Sequence, residues 1–138
     1  MNSKSEELKE KLRQALNSTA RVISGDFKIK ENLDQNKSSK EFEFFNLENL
    51  NSKSDFIKAR AESDSSALKK KFSNDEIYKK NLPLNSSYKS LYSIAEKVRY
   101  ECLGSEMLKG IAKNLKENYD QIIQLKSCLL YRSPSPRD

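Results

Sequence analysis

Apolar side chains recur every three or four residues over three stretches of the chain. Between Ser3 and Ser24, Leu8, Leu12, Ala15, Leu16, Thr19, Val22 and Ile23 fall on one stripe, which predicts an amphipathic helix. Ser3 and Glu6 are spaced for a capping box at its start, and Gly25 stands where a left-handed residue closes a helix. From Ser86, a second stripe of Tyr88, Leu91, Tyr92, Ala95, Val98 and Cys102 predicts a helix that stops or bends at Gly104. Leu108, Ile111, Ala112, Leu115, Tyr119, Ile122 and Ile123 mark a third. The short link at Gly104-Ser105 predicts that these last two helices form an antiparallel or sharply angled pair.

Elsewhere the pattern changes. Phe27-Lys-Ile-Lys30 and Glu41-Phe-Glu-Phe44 alternate with a period of two on either side of a polar stretch, which predicts a two-stranded antiparallel ribbon. An isolated hairpin is marginal in water, so its phenylalanines are expected to bury against the helices. Asp55 is placed to cap a short helix carrying Phe56 and Ile57, and Asp64 to cap another carrying Ala67, Leu68 and Phe72. Asn74 opens a brief helical turn with Ile77 and Tyr78, ended by Leu82-Pro83 because the residue before proline disfavours the helical region. The expected fold is therefore mainly α with a small two-stranded antiparallel β-ribbon, an α+β class. No internal repeat or sustained heptad is present.

The chain has 138 residues, enough for one domain, with 26 Lys and Arg against 20 Asp and Glu, a net charge of +6. Its mean hydropathy is −0.86 and no apolar run approaches the roughly 20 residues of a membrane helix. Met1 to Glu10 contains no apolar secretory core, so a cytoplasmic address is expected. Two cysteines, Cys102 and Cys128, do not make a disulfide scaffold. Without any histidine, an imidazole general base and a Ser-His-Asp triad are excluded.

The basic balance invites a nucleic-acid reading, but the cations are mostly lysine and are spread over every segment. Lys69-Lys-Lys71 is the only tight cluster and is shorter than a nucleic-acid patch. A solvated lysine surface is the favoured explanation, and a small basic helical nucleic-acid-binding protein is the alternative. The three glycines, Gly25, Gly104 and Gly110, stand outside any phosphate-loop spacing. Ser63-Asp-Ser-Ser66 lacks the serine that a metal-ion-dependent adhesion motif needs at position 68, where Leu68 stands, so Asp64 reads as a helix cap. Cys102 reads as a small buried hydrophobe. Residues 128–138 break from the Lys/Asn/Ser/Leu idiom before them and hold two of the three prolines. They are expected to be a read-through tail, with a single domain over residues 1–127 that was cut short of its C-terminal portion.

One set of residues carries a resemblance. Ala95-Glu-Lys-Val-Arg-Tyr-Glu-Cys-Leu-Gly104, continuing as Gly110-Ile-Ala-Lys-Asn-Leu115, resembles the "EQARVEALG…GVAANL" signature of the aerobic cobaltochelatase CobT subunit. Arg60-Ala-Glu-Ser-Asp64 with Ala67-Leu68 looks like that family's "RGxxDxxAL", and Ile23-Ser-Gly-Asp26 like its "IAGD". Departures are Ala61 in place of a glycine, no histidine after the second block, and Met107-Leu108 in place of an Arg-Met pair.

The resemblance implies a subunit of the enzyme that inserts cobalt into hydrogenobyrinic acid a,c-diamide in aerobic cobalamin synthesis. It implies as partners an AAA+ ATPase chelatase subunit and a large corrin-binding chelatase subunit. ATP, Mg and Co are used by the whole complex, and no cofactor or catalytic residue is expected in this segment. Arg60, Asp64, Glu96, Arg99, Glu101, Gly104, Gly110 and Asn114 are the family-motif or partner-contact candidates. Arg99, Glu101 and the Arg60/Asp64 pair are expected either to hold the last two helices against the middle segment or to contact the ATPase.

Overall fold

The computed structural model describes residues 3–26 and 52–132. They form five helices: α1 (Ser3–Ser24), α2 (Lys53–Phe72), α3 (Asp75–Lys80), α4 (Ser86–Met107) and α5 (Lys109–Arg132). Most boundaries have a local cause. Gly25 takes a left-handed φ of 72° and returns its N–H to the Arg21 carbonyl at 3.0 Å, closing α1. Ser52 and Asp55 make a reciprocal capping box that opens α2. The side-chain oxygens of Asn74 and Asn85 accept the first free N–H groups of α3 and α4. Leu108, a single extended residue, ends α4 by donating to the Gly104 carbonyl, and its own carbonyl accepts from Ile111 and Ala112 at the start of α5. The domain boundary expected at Ser127 lies inside α5.

Helix α2 is the centre of the arrangement, touching α1, α4 and α5. Seven of its residues are buried, Ala59, Ala61, Ser63, Asp64, Ser65, Ala67 and Leu68, and all but Asp64 and Leu68 are alanine or serine. Small side chains on several sides allow three helices to approach one axis. The core joins Ala61, Ala67 and Leu68 to Ala20 and Ile23 of α1, Tyr100 of α4, and Ile111 and Leu115 of α5, with Phe72 packed at its edge. Helix α3 leans on α4 through the Tyr78 and Tyr92 rings, 5.1 Å apart.

The α+β expectation is corrected. The described residues contain helices and no strand, and the two expected ribbon segments, 27–30 and 41–44, lie outside them. Among the described residues the core is built of helix against helix. A four-residue alternation is a short signal beside the long helical repeats that surround it. The two short helices expected at Asp55 and Asp64 are one continuous α2. Asp55 is the third residue of the helix and the far partner in its capping box, and Asp64 is buried in its interior and caps nothing.

Two helices bury a different face from the one their apolar stripes predict. In α1 the buried residues are Asn17, Ala20 and Ile23, whereas Leu8 and Val22 are exposed. In α4 they are Tyr100, Glu101 and Gly104, whereas Tyr88, Leu91 and Val98 are exposed. Cys102 is exposed as well, not the buried hydrophobe its stripe suggested. Nor does Gly104 end α4. It lies inside the helix, where the absence of a side chain lets Leu68, 0% exposed, press against the backbone.

The two helical glycines predict opposite outcomes. A Cβ at position 104 would stand 2.3 Å from Leu68 Cδ2, and the fully enclosed leucine has no room to move. Gly104→Ala is therefore expected to destabilise the fold by about 1–3 kcal/mol. At Gly110 a Cβ meets nothing within 4 Å. Gly110→Ala is expected to stabilise by up to about 1 kcal/mol, through helix propensity alone. Urea denaturation of the two variants checks both signs.

Candidate functional site

The candidate residues fall into two groups, one inside the helix junctions and one around a cleft. The first group surrounds the C-terminal half of α2. Arg99 of α4 donates to the Phe72 carbonyl at 2.7 Å, satisfying one of the free carbonyls at the end of α2. It also makes a two-pronged contact with Glu96, at 2.8 Å on each prong. Glu96 in turn accepts from Ser73 Oγ. Arg99 beside it, with a smaller contribution from Ser73, holds the Glu96 carboxyl at about 2, below its ordinary value of 4.5, against the opposing effect of burial.

One turn further along α4, Glu101 is 5% exposed and ties three helices together. It accepts from Ser65 of α2 at 2.5 Å and from Tyr119 of α5 at 2.6 Å, and Lys97 stands 3.8 Å away. Burial, and then the bond to this carboxylate, raise the Tyr119 hydroxyl well above the ordinary tyrosine range. Gly104 completes the group through its contact with Leu68. Arg99, Glu96 and Glu101 thus fasten α4 and α5 to α2 by charge-assisted hydrogen bonds.

The second group lines a cleft of about 450 Å³ where α1, α2 and α5 meet. Ser18, Thr19, Val22 and Ile23 form the α1 wall, Arg60 and Asp64 the α2 wall, and Leu108, Gly110, Ile111 and Asn114 the third. Asp64 is 3% exposed, and its Oδ2 accepts from Asn114 Nδ2 at 2.7 Å. Burial raises the Asp64 carboxyl above its ordinary value, only partly offset by the Asn114 bond and the nearby Arg60 charge. Arg60 itself is exposed and lies over the Phe56 ring, 5.7 Å from its centroid. Gly110 has open space where a side chain would stand.

Four of the eight candidates, from two motif blocks fifty residues apart in the Asp64–Asn114 case, therefore share one cavity. Asp26, from the third block, pairs with Lys70 of α2 at 2.7 Å. Sequence reasoning missed Ser65 and Ser73, and read Tyr119 only as part of the apolar stripe of α5. Small polar residues carry no periodic signal, and only the partner across the junction gives them a role. Among the described residues no group of three His, Cys, Asp or Glu side chains is placed to hold a metal ion, and no helix is long and apolar enough to cross a membrane.

The family model for cobalamin biosynthesis protein CobT matches residues 6–132. The chain belongs to the CobT family. Membership places it in cobalamin biosynthesis, and the match covers every residue of the two groups. No curated protein and no solved structure matches the chain.

The two carboxylates predict acid responses of opposite sign. Glu96, whose carboxyl is depressed by folding, contributes stability above about pH 4.5 that is lost as the pH falls towards 2. Glu96→Gln is expected to remove that part of the acid limb. Asp64, whose carboxyl is raised, costs stability when ionised, so the fold is relieved as the pH falls through its titration. Asp64→Asn keeps an acceptor for Asn114 and is expected to melt at or above the parent at pH 7. Thermal melts of both variants from pH 2 to 7 check the pair, and a lowered melting point for Asp64→Asn at neutral pH would contradict it.

Proposed function

We propose that the chain is a non-catalytic portion of a cobaltochelatase subunit. It docks onto an AAA+ ATPase chelatase subunit and, with the large corrin-binding subunit, takes part in ATP-dependent insertion of cobalt into hydrogenobyrinic acid a,c-diamide. Cobalt is the substrate of the assembly. The observation that carries the reading is the family match over residues 6–132 together with the gathering of Arg60, Asp64, Gly110 and Asn114 at one open cleft. A role in docking suits such a surface, because Glu96, Arg99 and Glu101 are already engaged within the protein while the described residues leave the cleft side open.

The charge pattern favours this reading over a nucleic-acid one. Lys11, Lys58, Lys97, Lys113 and Lys116 each face an acidic residue four positions away on the same helix, so these cations are balanced locally. Purified AAA+ ATPase chelatase subunit is expected to be retained by the immobilised chain in the presence of ATP and Mg, and retention is expected to survive salt that strips the chain from a nucleic-acid column. Failure of the ATPase subunit to bind under any nucleotide condition would remove the basis for the proposal.

A further inference from the structure

The lining of the cleft is unbalanced in its hydrogen-bonding chemistry. Ser18 Oγ donates to the Gln14 carbonyl at 2.8 Å and Thr19 Oγ1 to the Ala15 carbonyl at 2.9 Å, so both hydroxyls keep only acceptor capacity. Asn114 donates its amide to Asp64, which leaves its carbonyl oxygen as an acceptor. Asp64 uses Oδ2 for that bond, and among the described residues no donor reaches Oδ1. Three helices therefore present four acceptor-bearing residues, one of them a carboxylate that is 3% exposed, between apolar walls. A carboxylate oxygen that no protein donor fills is open to a charge-assisted hydrogen bond from a cationic donor entering the cleft.

We propose that this cleft receives one cationic side chain, a lysine or arginine presented by a partner polypeptide, with its charged head at Asp64 and Asn114 and its aliphatic stem along Val22, Ile23 and Ile111. The identity of that partner rests on the docking role proposed above; the chemistry of the cleft does not. An aliphatic stem that ends in a strongly hydrated charge matches apolar walls with a polar floor. Two features of the rim select a tethered cation over a free polyamine. Gly110 leaves room for a neighbouring backbone to come close, since nothing lies within 4 Å of where its Cβ would be. The exposed Arg60 guanidinium offers donors to main-chain carbonyls, which a polypeptide carries and a polyamine lacks.

The test is a titration of the full, isotope-labelled chain with three capped amino acids: N-acetyl-arginine methylamide, N-acetyl-lysine methylamide and the neutral N-acetyl-citrulline methylamide. The two cations are expected to shift the backbone resonances of Ser18, Thr19, Ile23, Ile111 and Asn114, and citrulline to bind at least about tenfold more weakly. Asp64→Asn is expected to lose the preference for the cations. Gly110→Leu, which fills the cleft from a position with free space, is expected to block both without touching the carboxylate. Equal binding of citrulline, shifts confined to another surface, or cation binding unchanged in Asp64→Asn would overturn the proposal. Tighter binding of spermine than of either capped cation would overturn the polypeptide source. No ATPase takes part in this titration, so its failure counts against the cleft alone. A positive titration with no retention of the ATPase subunit counts against the docking role alone.

Discussion

Everything in this fold depends on the need to satisfy the polar groups of one buried helix. Helix α2 sits against three neighbours, and its small residues let them come close, but that closeness also removes water from Asp64 and Ser65. Asp64 finds its hydrogen-bond partner on α5, in Asn114, and Ser65 finds its own on α4, in Glu101, while Arg99 of α4 donates to the carbonyl at the end of α2. An apolar interface between alanine-rich helices tolerates sliding and rotation. A buried polar group without a partner costs about 1–3 kcal/mol, so these pairs fix the register that the alanines leave free.

The same constraint divides the family-motif residues by task. Glu96, Arg99, Glu101 and Gly104 are consumed by the junctions, and their exchange would alter the fold before it altered any association. Arg60, Asp64, Gly110 and Asn114 are arranged around open space. Asp64 belongs to both groups in a sense, since its bond to Asn114 ties α2 to α5 while its ionised form works against stability. A carboxylate kept where it weakens the fold is a familiar mark of a site shaped by something other than stability.

How much of this was legible in the sequence can be judged element by element. The span of α1, the cap at Asn74 and the start of α4 at Ser86 followed from local rules, because capping is decided by a few neighbouring atoms. The motif blocks pointed to the residues that the structure then gathered. The buried faces did not follow. Hydrophobic periodicity finds the most apolar side of a helix, and in α4 that side, with Leu91 63% exposed, looks away from the core. The side that is buried holds Tyr100, Glu101 and Gly104, whose suitability depends on Ser65, Tyr119 and Leu68 arriving from elsewhere in the chain. Helix α2 was read as two pieces for a related reason. A helix contacted on several sides has no single stripe, and its interior aspartate imitates a cap.

The lone extended residue between the last two long helices sets a phase as well as a direction. Leu108 closes one helix with its N–H and opens the next with its own carbonyl, so no slack separates them. Each residue advances an α-helix by about 100°, and a single insertion or deletion at this joint would swing the whole of α5 by that angle. Ile111, Asn114, Leu115 and Tyr119 would turn away from α2 and α4 together, breaking the cleft wall and the Glu101 junction in one step. Chain length at this point is thus as tightly specified as side-chain identity, and the junction acts as a ratchet tooth that admits one setting.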